Sequence, residues 1–427
     1  MFIKILETLN NNKKFPYLFV SILPYAIGDI FEQIQYALVD SKNKKKKLIL
    51  LTPTILPKLL KYTVANKFIF NDCIFERKLT KYEKYILQIA NFFLNIEFLF
   101  KRIVILILKN YFYLQIKDKH NFPYLGQYQR NQKNTKNQKI PFIKIEKKKL
   151  IYFNLNLPNK HISLCEKIFK NLEINNNLKN ICIHIRDSSY HNDVLRRPYR
   201  NPNIENYSKT IEYLCDNNFN VFRMGMVAKQ ELQIKKKNFY DLPFLISANE
   251  MEYFQFYLIK KSELFIGTES GPQFISWFLN IPTLYTNVAR FFYTIAPNKN
   301  SRYIFRKFFF KKKNKIISYK EYINLPFLYH NINFVDEGVK YIENTSQEIL
   351  DATKEMLQNI RNKNWNLSSK QKEINNFLNS RLMQMYDEYN KIDKGKNLID
   401  QWDNINIIKN SLSNYGSACN SVLDNYK

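Results

Sequence analysis

Short apolar runs of strand length alternate with helical patterns through the second half of the chain, and no other feature of the sequence limits the fold as much. Residues 181–185, 221–224, 264–266 and 283–285 read as strands. Between them, Ile204, Tyr207, Ile211 and Leu214 fall at helical spacing in a segment that Asn217-Asn218 ends, and residues 251–261 and 272–279 read as further helices. Strands buried on both faces and separated by helices form a parallel sheet covered on each side. The expected fold class is therefore α/β.

The first half opens with the same rhythm. An apolar run at 18–23 leads through Pro24 and a tight Gly28-Asp29 turn into a helix with Ile30, Ile34 and Leu38 on one face. The lysine run 44–47 then reads as a solvated connector to a second buried strand, 48–51, which completes a βαβ unit. Residues 127–139, rich in Asn, Gln and Lys, read as an exposed excursion. An Asn-rich stretch at 171–179 marks a boundary, so the expected organisation is a Rossmann-like domain over 1–175 and a second over 176–345. The remaining segment, 346–427, is expected to form C-terminal helices and a tail. Its start carries a capping box, Thr345-Ser346-Gln347-Glu348, in which a hydroxyl and a carboxylate three residues apart satisfy the exposed amides of a helix start.

At 427 residues the chain exceeds what one core organises, and its 45% hydrophobic content fits a globular protein. The formal charge of +29, from 66 Lys and Arg against 37 Asp and Glu, favours anionic partners. Abundant Lys, Asn, Ile, Tyr and Phe together are also what an A/T-rich genome imposes, and that compositional origin accounts for the charge equally well. The cysteines, Cys73, Cys165, Cys182, Cys215 and Cys419, are scattered and odd in number, with no paired metal-ligand spacing, which fits a reducing compartment. Lys4, Glu7, Lys13 and Lys14 interrupt any secretory pattern in the first twenty residues, so a cytoplasmic location is expected. Residues 85–116 are the most lipid-like segment, but Glu97, Lys101, Arg102 and Lys109 break any span of roughly 20 apolar residues. Two readings stay open there: an amphipathic element lying on an anionic membrane surface, or an ordinary helix and strand packed in the core.

The densest chemistry lies at the carboxyl end of the 181–185 strand, in His184, Arg186, Asp187, Ser188, Ser189 and His191, with Arg196, Arg197 and Arg200 following. Ligands of open α/β sheets bind at that edge. Arg186 suits a bidentate contact to a diphosphate, Ser188 and Ser189 can donate hydrogen bonds, and Asp187 can hold an arginine in place. His184 alternates with Ile183 and Ile185, so it points away from their face, either toward a ligand or as a satisfied structural histidine. A second site is the small-residue turn Gly267-Thr268-Glu269-Ser270-Gly271 ahead of a helix that begins with Pro272. Free amides and hydroxyls at such a turn form an anion site, and Glu269 would hold a ribose or sugar hydroxyl; a plain turn and cap is the competing reading. Arg223 and Gly225, at the next strand end, reach the same edge, where Arg223 serves either a phosphate or a rim salt bridge. In the first domain Gly28-Asp29 places a carboxylate that either deprotonates an acceptor hydroxyl or caps the following helix.

These motifs, His184-Ile185-Arg186-Asp187-Ser188-Ser189-Tyr190, Arg200-Asn201, Ile204-Glu205-Asn206-Tyr207, Arg223-Met224-Gly225, Phe265-Ile266-Gly267-Thr268, Ser270-Gly271 and Glu343-Asn344-Thr345-Ser346, resemble in order those of bacterial glycosyltransferases from surface-polysaccharide gene clusters. That family has the GT-B architecture, two Rossmann-like domains facing a central cleft. The chain is also distantly similar to the heptosyltransferases, whose amino-terminal Gly-Asp turn, with the aspartate as general base, matches Gly28-Asp29. Their donor-domain Asp-Thr-Gly turn is replaced here by Glu269-Ser270-Gly271, and Phe274 stands where a histidine is usual. The resemblance implies a glycosyltransferase with Asp29 as general base, and His184 at the strand end is the second expected catalytic residue. It also implies a nucleotide-sugar donor as substrate, a surface-polysaccharide or lipid-linked glycan acceptor, no separate cofactor and no obligatory metal. The alternative is a basic protein that binds nucleic acid or an anionic surface without catalysis. It ranks second, because most aromatics sit inside apolar runs rather than interleaved with cations on a face.

Overall fold

Five-residue strands on either side of an eighteen-residue helix open the computed structural model: β1 (Tyr17–Ser21) pairs in parallel with β2 (Lys47–Leu51), and the helix Ile27–Lys44 connects them. The βαβ unit expected from the hydrophobic pattern is therefore present. The structure describes residues 2–21, 27–51, 74–75, 80–111, 155–187, 189, 200–288, 299–324, 339–391 and 417–421. They divide into two compact units, Met1–Asn159 and Lys160–Lys427.

In the first unit, Leu6, Phe19, Ile49, Leu51, Ala90 and Leu94 pack together, joining the helix Phe2–Asn11, both strands and the long helix Lys81–Tyr111. A short antiparallel pair, β3 (Ile74–Phe75) with β4 (Leu155–Asn156), completes its described strands. The lysine run corrects one expectation. Lys46 is buried, and its Nζ donates to the carbonyls of Leu9, Asn10 and Asn12 at 3.1, 2.7 and 2.8 Å. Those are carbonyls at the end of the Phe2–Asn11 helix, where a cation complements the helix's negative end. Burial, the largest influence, together with the neighbouring Lys44 lowers the Lys46 pKa from its ordinary value.

Among its described residues the second unit carries a seven-stranded, wholly parallel sheet. In chain order its strands are β5 (Lys179–His184), β6 (Phe219–Arg223), β7 (Phe239–Asp241), β8 (Ser262–Gly267), β9 (Thr283–Val288) and β10 (Ser301–Phe305), and the last, at the far end of the chain, is Ser417–Ala418. Across the sheet they lie in the order Ser417–Ala418, β10, β9, β8, β5, β6, β7. From β5 the chain builds outward to β7, then returns to the other side of β5 and builds outward again. That reversal between β5 and β8 is the topological switch point of a doubly wound sheet. A smaller antiparallel sheet, which the sequence pattern did not disclose, joins β11 (Lys307–Phe310), β12 (Lys315–Ile317) and β13 (Val339–Ile342).

The pleat divides the strand residues between two layers. Ile181, Ile183, Val221, Leu264, Ile266 and Leu284 meet the helices Ser208–Asp216 and Ser346–Asn362 on one face. Phe222 meets Phe169 on the other, where Phe169 also meets Phe254, so the helices Asn159–Asn171 and Ala248–Lys260 cover that side. The first of those helices thus belongs to the second unit, whereas the sequence puts the boundary at 175. The helix after residue 345 likewise contributes Ile349, Ala352 and Met356 to this core rather than forming a separate part. Its capping box forms as expected: the Thr345 hydroxyl accepts from the Glu348 amide and the Glu348 carboxylate accepts from the Thr345 amide. Removing that hydroxyl in Thr345→Ala is expected to cost about 1 kcal/mol, measurable as a lower urea midpoint with an unchanged slope.

Candidate functional site

The carboxyl ends of β5 and β8, the strands on either side of the switch point, are joined by polar contacts. His184 and Gly267 are register partners. One residue on, the Thr268 amide donates to the His184 carbonyl at 3.2 Å, and the Arg186 amide donates to the Thr268 hydroxyl at 3.0 Å. The Ser270 hydroxyl lies 2.8 Å from Nδ1 of His184. The two motifs that stood out in the sequence, one after each strand, therefore form one edge. Gly267 is required by close packing, because a Cβ there would stand 2.6 Å from the Phe265 ring.

His184 is set in a polar but poorly hydrated position. Burial is the largest influence on it, and with Arg223 and Arg186 nearby it outweighs Asp187, so the pKa falls to about 4. At neutral pH the imidazole is uncharged, and its bond to Ser270 fixes the ring. The sign of the consequence follows from linkage. An unfolded histidine takes up a proton near pH 6.5 whereas the folded one does so only near 4. Stability is therefore expected to be full above the unfolded value and to be lost progressively as pH falls from about 6.5 to 4. Urea midpoints measured across that window for the native chain and His184→Gln check it, and an equal decline in both would exclude His184 as the source.

The remaining residues singled out in the sequence are placed as follows. Arg186 is buried, and its Nη1 donates to Asn201 Oδ1. Arg200 directs Nε and Nη2 to the backbone carbonyl of Glu269 at 3.0 and 2.6 Å, clamping the 267–271 turn in a two-point grip. Asp187 corrects an expectation: it holds backbone, not an arginine. Its Oδ1 accepts from the Ser189 amide at 2.9 Å and from the Ser189 hydroxyl, and its Oδ2 accepts from the Lys229 amide at 2.9 Å. Burial would raise this carboxyl, but those hydrogen bonds together prevail and lower its pKa. The Ser189 hydroxyl also reaches the Val227 carbonyl at 3.2 Å, so the loops after β5 and β6 are stitched together.

Arg223 is the clearest correction. It is 1% exposed, with Nη1 2.9 Å from Asp241 Oδ2 and 2.9 Å from the Gln230 carbonyl. It is not on the rim: the register of β6 and β7 sets Arg223 directly opposite Asp241, inside the protein. Glu269 is likewise buried. The turn also uses its own donors. The Ser270 amide faces Gln273 Oε1 at 3.4 Å, and the hydroxyls of Thr268 and Ser270 serve Arg186 and His184 as above. Gly271, at the head of the six-residue helix Gln273–Phe278, and Gly225, after β6, are partly buried. Ser188, Tyr190, His191, Arg196 and Arg197 lie outside the described residues. In the first unit, Gly28 and Asp29 fall inside the helix that begins at Ile27, not in a turn before it.

The structure adds residues that single-sequence reading missed. Asn287 adopts the left-handed backbone, φ 56°, within β9 and forms a reciprocal pair with Asn344: each amide N–H donates to the other's Oδ1, at 2.6 and 2.9 Å. Tyr207 bridges Thr286 and Asn287, at 2.6 and 3.0 Å. Arg306, 2% exposed, donates from Nε to the Asn287 carbonyl at 3.2 Å and lies 3.8 Å from Glu343. Its Nη2 and the Nδ2 of Asn201 are buried N–H groups without a partner among the described residues. The sequence signals for this group were Asn201, Tyr207 and the Glu343-Asn344 pair within the family resemblance; Asn287 and Arg306 carried none.

Among the described residues no group of three or more His, Cys, Asp and Glu side chains is arranged to hold a metal ion, and no helix is long and apolar enough to cross a membrane. The fold is a mixed α/β one with a parallel central sheet. No family model matches the sequence, nor does any curated protein. Among solved structures the chain is similar to a glycosyl transferase family 9 protein from Veillonella parvula DSM 2008, at 11% identity over 68% of this chain and 86% of that one, with a TM-score of 0.40.

Proposed function

We propose that the chain is a GT-B-type glycosyltransferase that moves a sugar from a nucleotide-sugar donor to a surface-polysaccharide or lipid-linked glycan acceptor in the cytoplasm. The observation that carries this reading is the meeting of the His184–Asp187 strand end and the Gly267–Gly271 turn at the switch point between β5 and β8. A doubly wound sheet offers its ligand crevice there. The arginines gathered at that edge, Arg186, Arg200 and Arg306, suit a diphosphate, whose charge grows on the leaving group as the glycosidic bond breaks. Fixed cations in a buried setting stabilise that charge without reorganising. His184, uncharged at neutral pH, acts by orienting Ser270 and the turn rather than as a cation. Acceptor activation is assigned to the first unit, where Asp29, in the first turn of the Ile27–Lys44 helix, is the general base. The nucleotide sugar is the substrate, and no cofactor or metal is assigned.

A thermal-shift screen of nucleoside diphosphates and their sugars tests the reading. A ligand present at a hundred times its dissociation constant stabilises the native state by about 2.7 kcal/mol. In a domain this large that raises Tm by roughly 5–10 °C. If no nucleotide moves Tm while unrelated DNA and RNA bind in a salt-sensitive way, the transferase reading fails and the nucleic-acid alternative takes its place.

A further inference from the structure

The helix Lys81–Tyr111 has more apolar surface than the fold around it uses. Its buried side, with Ala90 and Leu94, packs on Leu6, Phe19, Ile49 and Leu51. A second set, Tyr82, Tyr85, Ile89, Phe92, Ile96 and Phe100, recurs every three or four residues and is turned outward, each between 48% and 68% exposed. At about 100° per residue these six positions fall in one stripe roughly 80° wide along the helix. Scattered exposed apolar residues are ordinary, but an aligned row of aromatic and branched side chains marks an interaction surface.

The charge of the same unit identifies what that surface meets. Residues 1–159 contain 28 Lys and Arg against 10 Asp and Glu, so they hold +18 of the chain's +29 in little more than a third of its length. A genome-wide drift in composition would spread the excess evenly, and it is not spread evenly. Lys81 and Lys84 are exposed on the first turn of the helix, and Lys101, Arg102 and Lys109 follow in its last third. The helix carries only two acidic residues: Glu83 is buried, with its carboxylate on the Thr80 amide and beside Lys47, and Glu97 is partly buried. An apolar stripe with exposed lysines at its start, on a helix that does not span a bilayer and in a unit this cationic, is the pattern of an element lying in the interface, its apolar side chains among the acyl chains and its lysines at the headgroups.

We propose that the outward stripe of the Lys81–Tyr111 helix docks the protein on an anionic lipid membrane. Up to Tyr111 this joins the two readings that the sequence left open for residues 85–116, of which 112–116 lie outside the described residues: the helix packs in the core along one side and offers a lipid-binding stripe along another. The inference stands apart from the transferase reading, since it uses none of the residues at the sheet edge.

Flotation of the full-length chain with phosphatidylcholine vesicles, with and without phosphatidylglycerol, tests it. The expected result is recovery with the anionic vesicles, little with neutral ones, and weakening as salt rises. Ile89→Asp with Phe92→Asp introduces charge at the centre of the stripe. These side chains face water in the free protein, so far-UV circular dichroism and Tm should stay unchanged while vesicle affinity falls at least about tenfold, the loss of two apolar insertions. Lys81→Glu with Lys84→Glu is expected to weaken binding to anionic vesicles without touching the stripe. Equal recovery of native and variant chains would overturn the proposal. So would a native chain that ignores vesicles but sediments as a dimer which the Ile89→Asp, Phe92→Asp variant abolishes, for the stripe would then be a surface between copies of this chain.

Discussion

Asp241→Ala is expected to destabilise the second unit by about 3–5 kcal/mol, the cost of leaving a buried guanidinium without its counter-charge. Asp241 sits at the end of β7, opposite Arg223 at the end of β6, and the two are 4% and 1% exposed. The same carboxylate oxygen also accepts from the Leu232 amide at 2.9 Å, so its removal unpairs a cation and a backbone donor at once. Burial raises the Asp241 pKa against the pull of the Leu232 amide and Arg223, which shows that the cost of desolvating the carboxylate is not fully recovered by its partners. Replacing both members, Asp241→Leu with Arg223→Met, should accordingly cost much less than Asp241→Ala alone. Thermal melts should show the single variant falling by roughly 10 °C, on the usual scaling for a domain of this size. A loss below about 1 kcal/mol would mean that the pair is hydrated, as surface pairs are. The double variant also separates structure from ligand binding: if Arg223 acts only within the fold, the folded double variant keeps its affinity for nucleotide.

How much of this arrangement the sequence disclosed depended on whether the deciding contacts were local. Continuous apolar runs such as Leu264 to Ile266 marked the buried strands, because a strand covered on both faces needs no polar alternation. The Thr345 capping box was legible because both partners lie within four residues. The convergence of His184 with Ser270 followed from topology: parallel strands deliver their carboxyl ends to the same edge. What stayed hidden depended on distant partners. Lys46 looked solvated within a lysine run, and only the return of the chain to the Phe2–Asn11 helix buries it. Arg223 looked like a rim cation because Asp241 becomes its neighbour only through strand register. The phenylalanines of β11, flanked by lysines, showed no clear period, and their strand is defined by pairing with residues 339–342. Along Lys81–Tyr111 the apolar residues of the core side and the outward stripe carry the same hydropathy, so pattern alone did not separate them.

Arg186→Ala is expected to reduce kcat/KM for glycosyl transfer by at least about a hundredfold, at the upper end of what a charged hydrogen bond supplies. The argument begins from the fold, since a loss of activity means little if the site collapses. The backbone of Arg186 holds its place through its amide, which donates to the Thr268 hydroxyl at 3.0 Å, and truncating the side chain leaves that bond intact. Its guanidinium donates to Asn201 Oδ1, and the loss of that bond should cost about 1 kcal/mol. Transfer should suffer more. If the guanidinium faces the donor's diphosphate, its contribution grows as the leaving group gains charge, so kcat falls together with kcat/KM. Arg186→Lys distinguishes charge from geometry: an ammonium keeps the charge but lacks the planar fork, and should recover only part of the lost rate. The assay uses the nucleotide sugar that gives the largest thermal shift, with circular dichroism of each variant as the control for folding. A folded Arg186→Ala variant with native kcat/KM would remove Arg186 from the reaction. The burden would then fall on Arg306, whose buried Nη2 still needs an acceptor, and Arg306→Lys would become the decisive variant for the switch-point site.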